Sequence, residues 1–269
     1  MSSEGKLPCT VAILTYNSAN TLPRAIESVA DFSEIIVCDG GSTDPTLDIA
    51  KNAGAQVITQ DPAYKGADGR IIDFASIRNQ TLTAATQPWF FFLDSDEYAS
   101  PALIEQIRTV IAGKSSGAYF VVRRYLIDGI EIACASSYPN RSMRFFARNS
   151  VDRFIKRIHE RIQLRQGVVP DLLPGPLFVP VNTNMVLAKQ KRKRYIALSV
   201  RQEGDFSWRE LWHITWHTSA VSVLYLFRAL RCRFITRGVC LPWYIEFDTQ
   251  RYNIELIVAL WRAKLSMVK

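Results

Sequence analysis

No stretch of this 269-residue chain reaches the roughly 18 consecutive apolar residues that a membrane-spanning helix needs, so a spanning protein is not expected. The opening MSSEGKLPCT lacks a basic region followed by an apolar run, so no secretory leader is expected and the chain is expected to stay in the cytosol. Cysteine is scarce as well. The five residues Cys9, Cys38, Cys134, Cys232 and Cys240 form no CxxC pair, are odd in number and mostly sit inside apolar runs as small hydrophobes do. A reducing compartment follows. There is no internal repeat, no low-complexity tract and no GxGxxG.

What is present begins with a hydrophobic content of 48%, enough for a sizeable core in one large domain or one domain with an appendage. Charge is spread unevenly. Residues 1–150 carry 13 Lys and Arg against 16 Asp and Glu, residues 151–184 carry 5 against 3, and residues 185–269 carry 15 against 6, a net +9. The basic, partner-facing surface is therefore expected in the last third, toward either nucleic acid or an anionic membrane.

The first 112 residues alternate strand and helix signals. Short apolar runs at Thr10–Thr15, Glu34–Asp39, Gln56–Thr59 and Trp89–Leu93 read as strands. Helices are punctuated between them: a stripe of Leu22, Ile26 and Val29; an N-cap at Asp44 with Pro45 following and Gly54 closing; Asp73 to Ala85; and Ser100–Pro101 to Gly113. This alternation implies right-handed βαβ units and a mainly parallel sheet, whose ligands bind at the carboxyl ends of the strands. Residues 113–188 mix strand-like AYFVVRRYLI and RSMRFFARN with a proline-rich loop. The run KQKRKR then opens a basic region, 189–269, where Ser207 with Glu210 caps a long helix through Phe234 and a last helix spans Asp248 to Lys264.

Three acids fall at strand ends: Asp39 in EIIVCDGGSTD, and Asp94 and Asp96 in FFFLDSDE. Two carboxylates one residue apart after a buried apolar strand are costly as anions unless a cation offsets them. Mn²⁺ or Mg²⁺ does so while accepting diphosphate oxygens.

The motifs VAILTYNSANTL, IIVCDGGSTDPT and SIRNQTLTAATQPWFFFLDSDE, in that order, resemble family 2 glycosyltransferases. The resemblance implies a GT-A domain: an α/β, Rossmann-like, mainly parallel central sheet flanked by helices, without a glycine-rich phosphate loop. It implies a UDP-sugar donor held by Thr15, Tyr16, Asn17, Asp39, Arg78, Asp94 and Ser95, with Asp96 on the metal. Gly40 stands where many members have a second acid. MRFFARN, IHERIQL and LYLFRALRCRFITRGVCLPW are similar to segments of the lipopolysaccharide-core β-1,4-glucosyltransferase subgroup. That implies a lipid-linked glycan acceptor, with Glu160 and Asp94 catalytic, Glu160 as general base, and His159 approaching the diphosphate or metal. Arg144 and Arg148 are candidates for an anionic acceptor or for plain surface solubility.

In the last third, Arg228, Arg231, Arg233 and Arg237 interleave with Trp208, Trp212, Trp216, Tyr225, Phe227 and Phe234. This composition suits a helical, membrane-associating extension lying in an interface, and the nucleotide-sugar motifs favour it over a nucleic-acid groove. The expected protein is an inverting hexosyltransferase, peripheral on the inner face of the cytoplasmic membrane. A polyprenyl phosphate, a capsular glycan or a protein would serve as acceptor with the same chemistry. A nucleotidyltransferase shares the sheet and the acids, but no glycine-rich, Arg/Lys-bearing loop follows the first strand.

Overall fold

The computed structural model describes residues 5–202 and 207–266. The chain gathers into two compact units, one of residues 1–124 with 140–180 and one of residues 125–139 with 181–269.

The first unit is an α/β layer structure. Its strands are β1 (Leu7–Thr15), β2 (Phe32–Asp39), β3 (Gln56–Thr59), β4 (Trp89–Asp94), β5 (Tyr98–Ala99), β6 (Ala118–Ile127), β8 (Arg141–Ala147) and β11 (Asp171–Pro180), in the spatial order β3-β2-β1-β4-β8-β6-β11-β5. Pairing is parallel across β3, β2, β1 and β4, then antiparallel from β4 to β8 and from β8 to β6. The parallel half is the βαβ region expected from the alternation of signals. A separate antiparallel pair, β9 (Val151–Ile155) with β10 (Arg161–Leu164), follows.

Both faces of the sheet are buried, as the unbroken apolar runs require. One face holds Val11, Ile13, Phe91, Leu93 and Phe145 against Leu22, Ile26 and Val29 of the first helix segment and Leu103 and Ile107 of α4 (Pro101–Gly113). The other holds Ala12, Phe90, Phe92, Phe146 and Phe154 against Ala75 of α3 (Phe74–Ala84). Helices α1 (Leu22–Glu27) and α2 (Thr46–Asn52) complete the unit. The cap residues expected for α3 and α4 act as such: Asp73 accepts from the Ser76 amide and Ser100 from the Leu103 amide. Asp44 accepts from the Thr46 amide, with Pro45 before the helix proper.

The proline-rich segment is a strand, not a loop. Pro174, Pro176 and Pro180 sit in β11, where a proline is tolerated if its missing N–H faces away from a partner. Gly175 is required there, because a Cβ would lie 2.7 Å from the Leu103 backbone of α4.

In the second unit the end of β6 turns through Asp128 and Gly129 into β7 (Ile130–Glu131). Ile132, Ala135 and Leu241 form one small core. Three helices carry the rest: α5 (Met185–Gln202), α6 (Trp208–Ile235) and α7 (Trp243–Ser266). The capping box at Ser207 and Glu210 is formed. Leu211 and Leu260 are buried between α6 and α7, and Trp261 donates to Thr215 at 3.0 Å. The basic run forms part of α5, a helix the sequence reading left undrawn. Its Arg192 is buried and paired with Asp248 and Glu255, so one cation of that run serves packing. The reading of the cysteines as small hydrophobes is corrected for two of them. Cys134 and Cys232 form a disulfide across 98 residues, a separation that no local spacing reveals.

Candidate active site

In the parallel half, register fixes which strand ends meet. Thr15 stands opposite Asp39, and Leu14 opposite Asp94, so the loops after β1, β2 and β4 share one rim. Asp39 is 4% exposed and fully engaged: it accepts from the Thr15 hydroxyl at 3.0 Å and from the Gly41 and Ser42 amides at 2.8 Å each. The second loop is thereby folded around one carboxylate. Asn17, at φ 50°, laces the two loops together, accepting from the Thr43 amide at 2.8 Å. Ser18 meets Ser95 at 2.9 Å and ties the first loop to the DSD turn. Tyr16 is 44% exposed beside them. Gly40 has no room for a side chain, since a Cβ would come within 2.9 Å of the Gln60 amide oxygen and 3.2 Å of the Thr15 carbonyl. The absence of a second acid there is thus built into the packing. Gln60 itself is buried and donates to the Thr15 and Cys38 carbonyls.

Asp94 anchors a lattice of charge. One carboxylate oxygen receives Arg78 and the other Arg144 at 3.2 Å. Arg144 also meets Glu97 at 3.0 Å, and Arg123 reaches Glu97 as well. Arg78 is 1% exposed, donates to the Leu93 carbonyl at 3.3 Å and lies 3.6 Å from Glu160. Both Arg78 and Arg144 lie over the Phe92 ring, 4.6 and 4.7 Å from its centre. Burial alone would raise the pKa of Asp94, but Arg144 and then Arg78 outweigh it and hold the carboxyl well below the ordinary range. Glu97 goes the other way: desolvation dominates and raises it, against the pull of Arg144.

Glu160 and His159 lie in the turn between β9 and β10, where Lys156 and His159 have positive φ of 69° and 53°. Asn79 of α3 holds that hairpin by two hydrogen bonds to the Phe154 backbone, donating at 2.9 Å and accepting at 2.8 Å. Beside the turn is a cavity of about 590 Å³ whose lining includes Phe92, Arg141, Arg144, His159, Glu160 and Arg161.

The structure therefore gathers Thr15, Asn17, Asp39, Asp94 and Ser95 along the rim, with Arg78 bridging Asp94 to Glu160. Asp96 is exposed at the same turn. Two members of the lattice, Glu97 and Arg123, and the buried Gln60 beside the first two loops are absent from the sequence reading. Glu97 is the last letter of LDSDE; Arg123 and Gln60 carry no spacing signal, because partners from distant strands define them. Arg144 is buried in the lattice, so surface solubility is not its role. Arg148 lies elsewhere: its amide bonds the Pro88 carbonyl, next to the opposite end of β4 from Asp94.

Residues 10–163, more than half of the chain, match the family described as Glycosyl transferase family 2. The chain belongs to glycosyl transferase family 2. Similar proteins include a TPR repeat-containing protein of Synechococcus elongatus, 32% identical over 155 residues that are 57% of this chain and 35% of that one. The SPbeta prophage-derived glycosyltransferase SunS of Bacillus subtilis is 29% identical over 156 residues, 56% of this chain and 34% of SunS. The lipopolysaccharide core biosynthesis glycosyltransferase LpsC of Rhizobium meliloti is 26% identical over 170 residues, 62% of this chain and 58% of LpsC. This family 2 chain thus spans about a third of the length of the first two relatives and somewhat over half of the third.

Proposed function

We propose that this family 2 chain is an inverting glycosyltransferase. It moves a sugar from a UDP-sugar to a lipid-linked glycan of the lipopolysaccharide-core kind, working at the cytoplasmic face of the membrane. The observation that carries the reading is the bridge from Asp94 through Arg78 to Glu160, which joins the acidic rim of the parallel strands to a second carboxylate from outside them. An inverting transfer needs that second carboxylate. As the acceptor oxygen bonds to the donor's anomeric carbon and the bond to the diphosphate breaks, the acceptor's proton passes to a base on the opposite face, and Glu160 takes that role in this reading. Thr15, Tyr16, Asn17 and Asp39 orient the nucleotide; Arg78, Asp94 and Ser95 fix the donor's sugar end. The name of LpsC supports the choice of acceptor.

The divalent ion is part of the proposal, and the donor set is its test. Among the described residues no group of three or more His, Cys, Asp and Glu is placed to hold a metal, and both Asp94 oxygens face guanidiniums. Mg²⁺ is commonly held by one or two carboxylates together with substrate phosphates and water. A single exposed carboxylate, Asp96, with His159 as a second candidate, fits an ion that arrives with the diphosphate. Such an ion, Mn²⁺ or Mg²⁺, offsets the charge of the departing diphosphate.

The membrane part rests on α6. Trp212, Trp216, Val223, Phe227, Leu230 and Phe234 are all exposed and recur at helical spacing along one stripe, with Arg228 and Arg231 nearby in a region of net charge +9. None of the described helices is long and apolar enough to cross a membrane.

Purified protein incubated with UDP-sugars and Mn²⁺ or Mg²⁺ should release UDP. Asp96→Asn should lose metal-dependent UDP binding while its unfolding curve stays that of wild type. Equal UDP affinity in Asp96→Asn would remove Asp96 from the metal. Release of pyrophosphate from a nucleoside triphosphate and a sugar phosphate would replace the transferase with a nucleotidyltransferase.

A further inference from the structure

The cavity beside Glu160 is more basic than its neighbours require. Four of its lining residues are arginines, Arg123, Arg141, Arg144 and Arg161, and one, Glu160, is acidic. Two of the four are accounted for, because Arg123 and Arg144 are paired with Glu97 and Asp94. The other two are not. Arg141 opens β8 and Arg161 opens β10, and among the described residues neither has a carboxylate within ion-pair range. Donor capacity is also left over in the lining itself: among the described residues the buried Nε of Arg123 has no hydrogen-bond acceptor. Guanidiniums gathered in a concave site repel one another, and their planar forks match carboxylate and phosphate oxygens.

The position argues for the acceptor. None of the rim residues Thr15, Tyr16, Asn17, Asp39 or Ser95 lines this cavity, whereas Glu160 does. Phe92, Phe120 and Phe154 supply an apolar wall suited to the carbon face of a sugar ring.

We infer that the acceptor saccharide carries an acidic group, a carboxylate or a phosphate, which Arg141 and Arg161 bind beside Glu160. This rests on the transferase reading above, and it adds a substrate class that the reading leaves open. A neutral glycan would leave both guanidiniums without a partner. An acidic one would be drawn into the cavity and turned so that its free hydroxyl faces Glu160.

The test compares glucuronate and glucose 6-phosphate with glucose, each titrated by ligand-observed NMR into the 269-residue chain saturated with UDP and the diamagnetic ion Mg²⁺. Wild type should bind the two acidic sugars more tightly than glucose, by roughly tenfold or more. Arg141→Gln with Arg161→Gln should erase that preference and leave UDP affinity unchanged. Arg141→Lys with Arg161→Lys should keep part of it, which separates charge from shape. Both arginines are exposed, so the variants should unfold like wild type. Equal binding of acidic and neutral sugars overturns the inference while UDP binding stands. Glucose 6-phosphate that binds the protein without UDP but not the UDP-saturated protein overturns it differently, by giving the arginines to the donor diphosphate. If UDP fails to bind under every metal condition, the transferase reading falls and this inference falls with it.

Discussion

The rim of the first unit and helix α6 of the second are opposite solutions to the placing of side chains. At the rim, the two most buried charges are paired: Asp39 takes the Thr15 hydroxyl and the amides of its own loop, and Arg78, at 1% exposure, serves a carbonyl and two carboxylates. On α6, large apolar groups are exposed, with Trp216 at 77% and Phe234 at 87%. Buried paired charge is costly to assemble and costly to break, so it persists where geometry must be held. Exposed apolar surface in a continuous stripe is a binding surface in waiting. On the proposed reading, the contrast gives chemistry to one region and attachment to the other.

The largest effect should come from the base. Glu160→Gln keeps the shape but cannot take a proton, so kcat should fall by roughly two to four orders of magnitude with UDP affinity near wild type. Steady-state kinetics with isothermal titration would check both halves. Normal turnover would move the base elsewhere.

Next is the lattice itself. Arg78→Met leaves Asp94 and Glu160 without their shared cation and should cost about 3 kcal/mol in urea unfolding, at the low end for a broken buried pair because the Asp94 side chain is 42% exposed. Within the second unit, Leu211→Ala, at a site 0% exposed, should cost about 2–4 kcal/mol. Trp216→Ser with Phe227→Ser on the same helix should stay within about 0.5 kcal/mol per residue. The surface pair should instead weaken co-sedimentation with vesicles of anionic lipid, and rising salt should weaken it further. If the surface pair proves as destabilising as Leu211→Ala, the stripe is core and not a docking face.

Acid sharpens the contrast by a smaller amount. The pKa of Asp94 is depressed in the folded state, so its contribution is present above the ordinary carboxylate value of about 4 and is lost as pH falls through the lower folded value. Stability measured from pH 5 downward should therefore drop, and Arg78→Met should show a shallower drop.

Much of the first unit was legible because parallel strands buried on both faces write long apolar runs, and their helices carry caps such as Asp73 and Ser100. The acids at the rim were legible for the same reason: a charge directly after a buried strand stands out. Their partners were not. Arg123 reaches Glu97 from β6, Asn79 holds the Glu160 hairpin from α3, and Gln60 bonds the Thr15 and Cys38 carbonyls from the end of β3, while the pairing of Arg144 with Asp94 follows only from the order of β4 and β8 in the sheet. Strand β11 was hidden by its prolines, and α5 by a run of cations that reads as solvated surface although Arg192 is buried within it. The Cys134–Cys232 link joins segments that share no local pattern.

The pair of hydrogen bonds from Asn79 to Phe154 makes the hairpin's mobility something that can be timed. The proposed base is carried on a turn that can swing only as far as the strand beneath it allows, and that strand is pinned at the N–H and carbonyl of one residue. Exchange of the Phe154 amide with solvent deuterium would then act as a clock for the release of Glu160 from its station, read at a backbone group and not at the carboxylate itself.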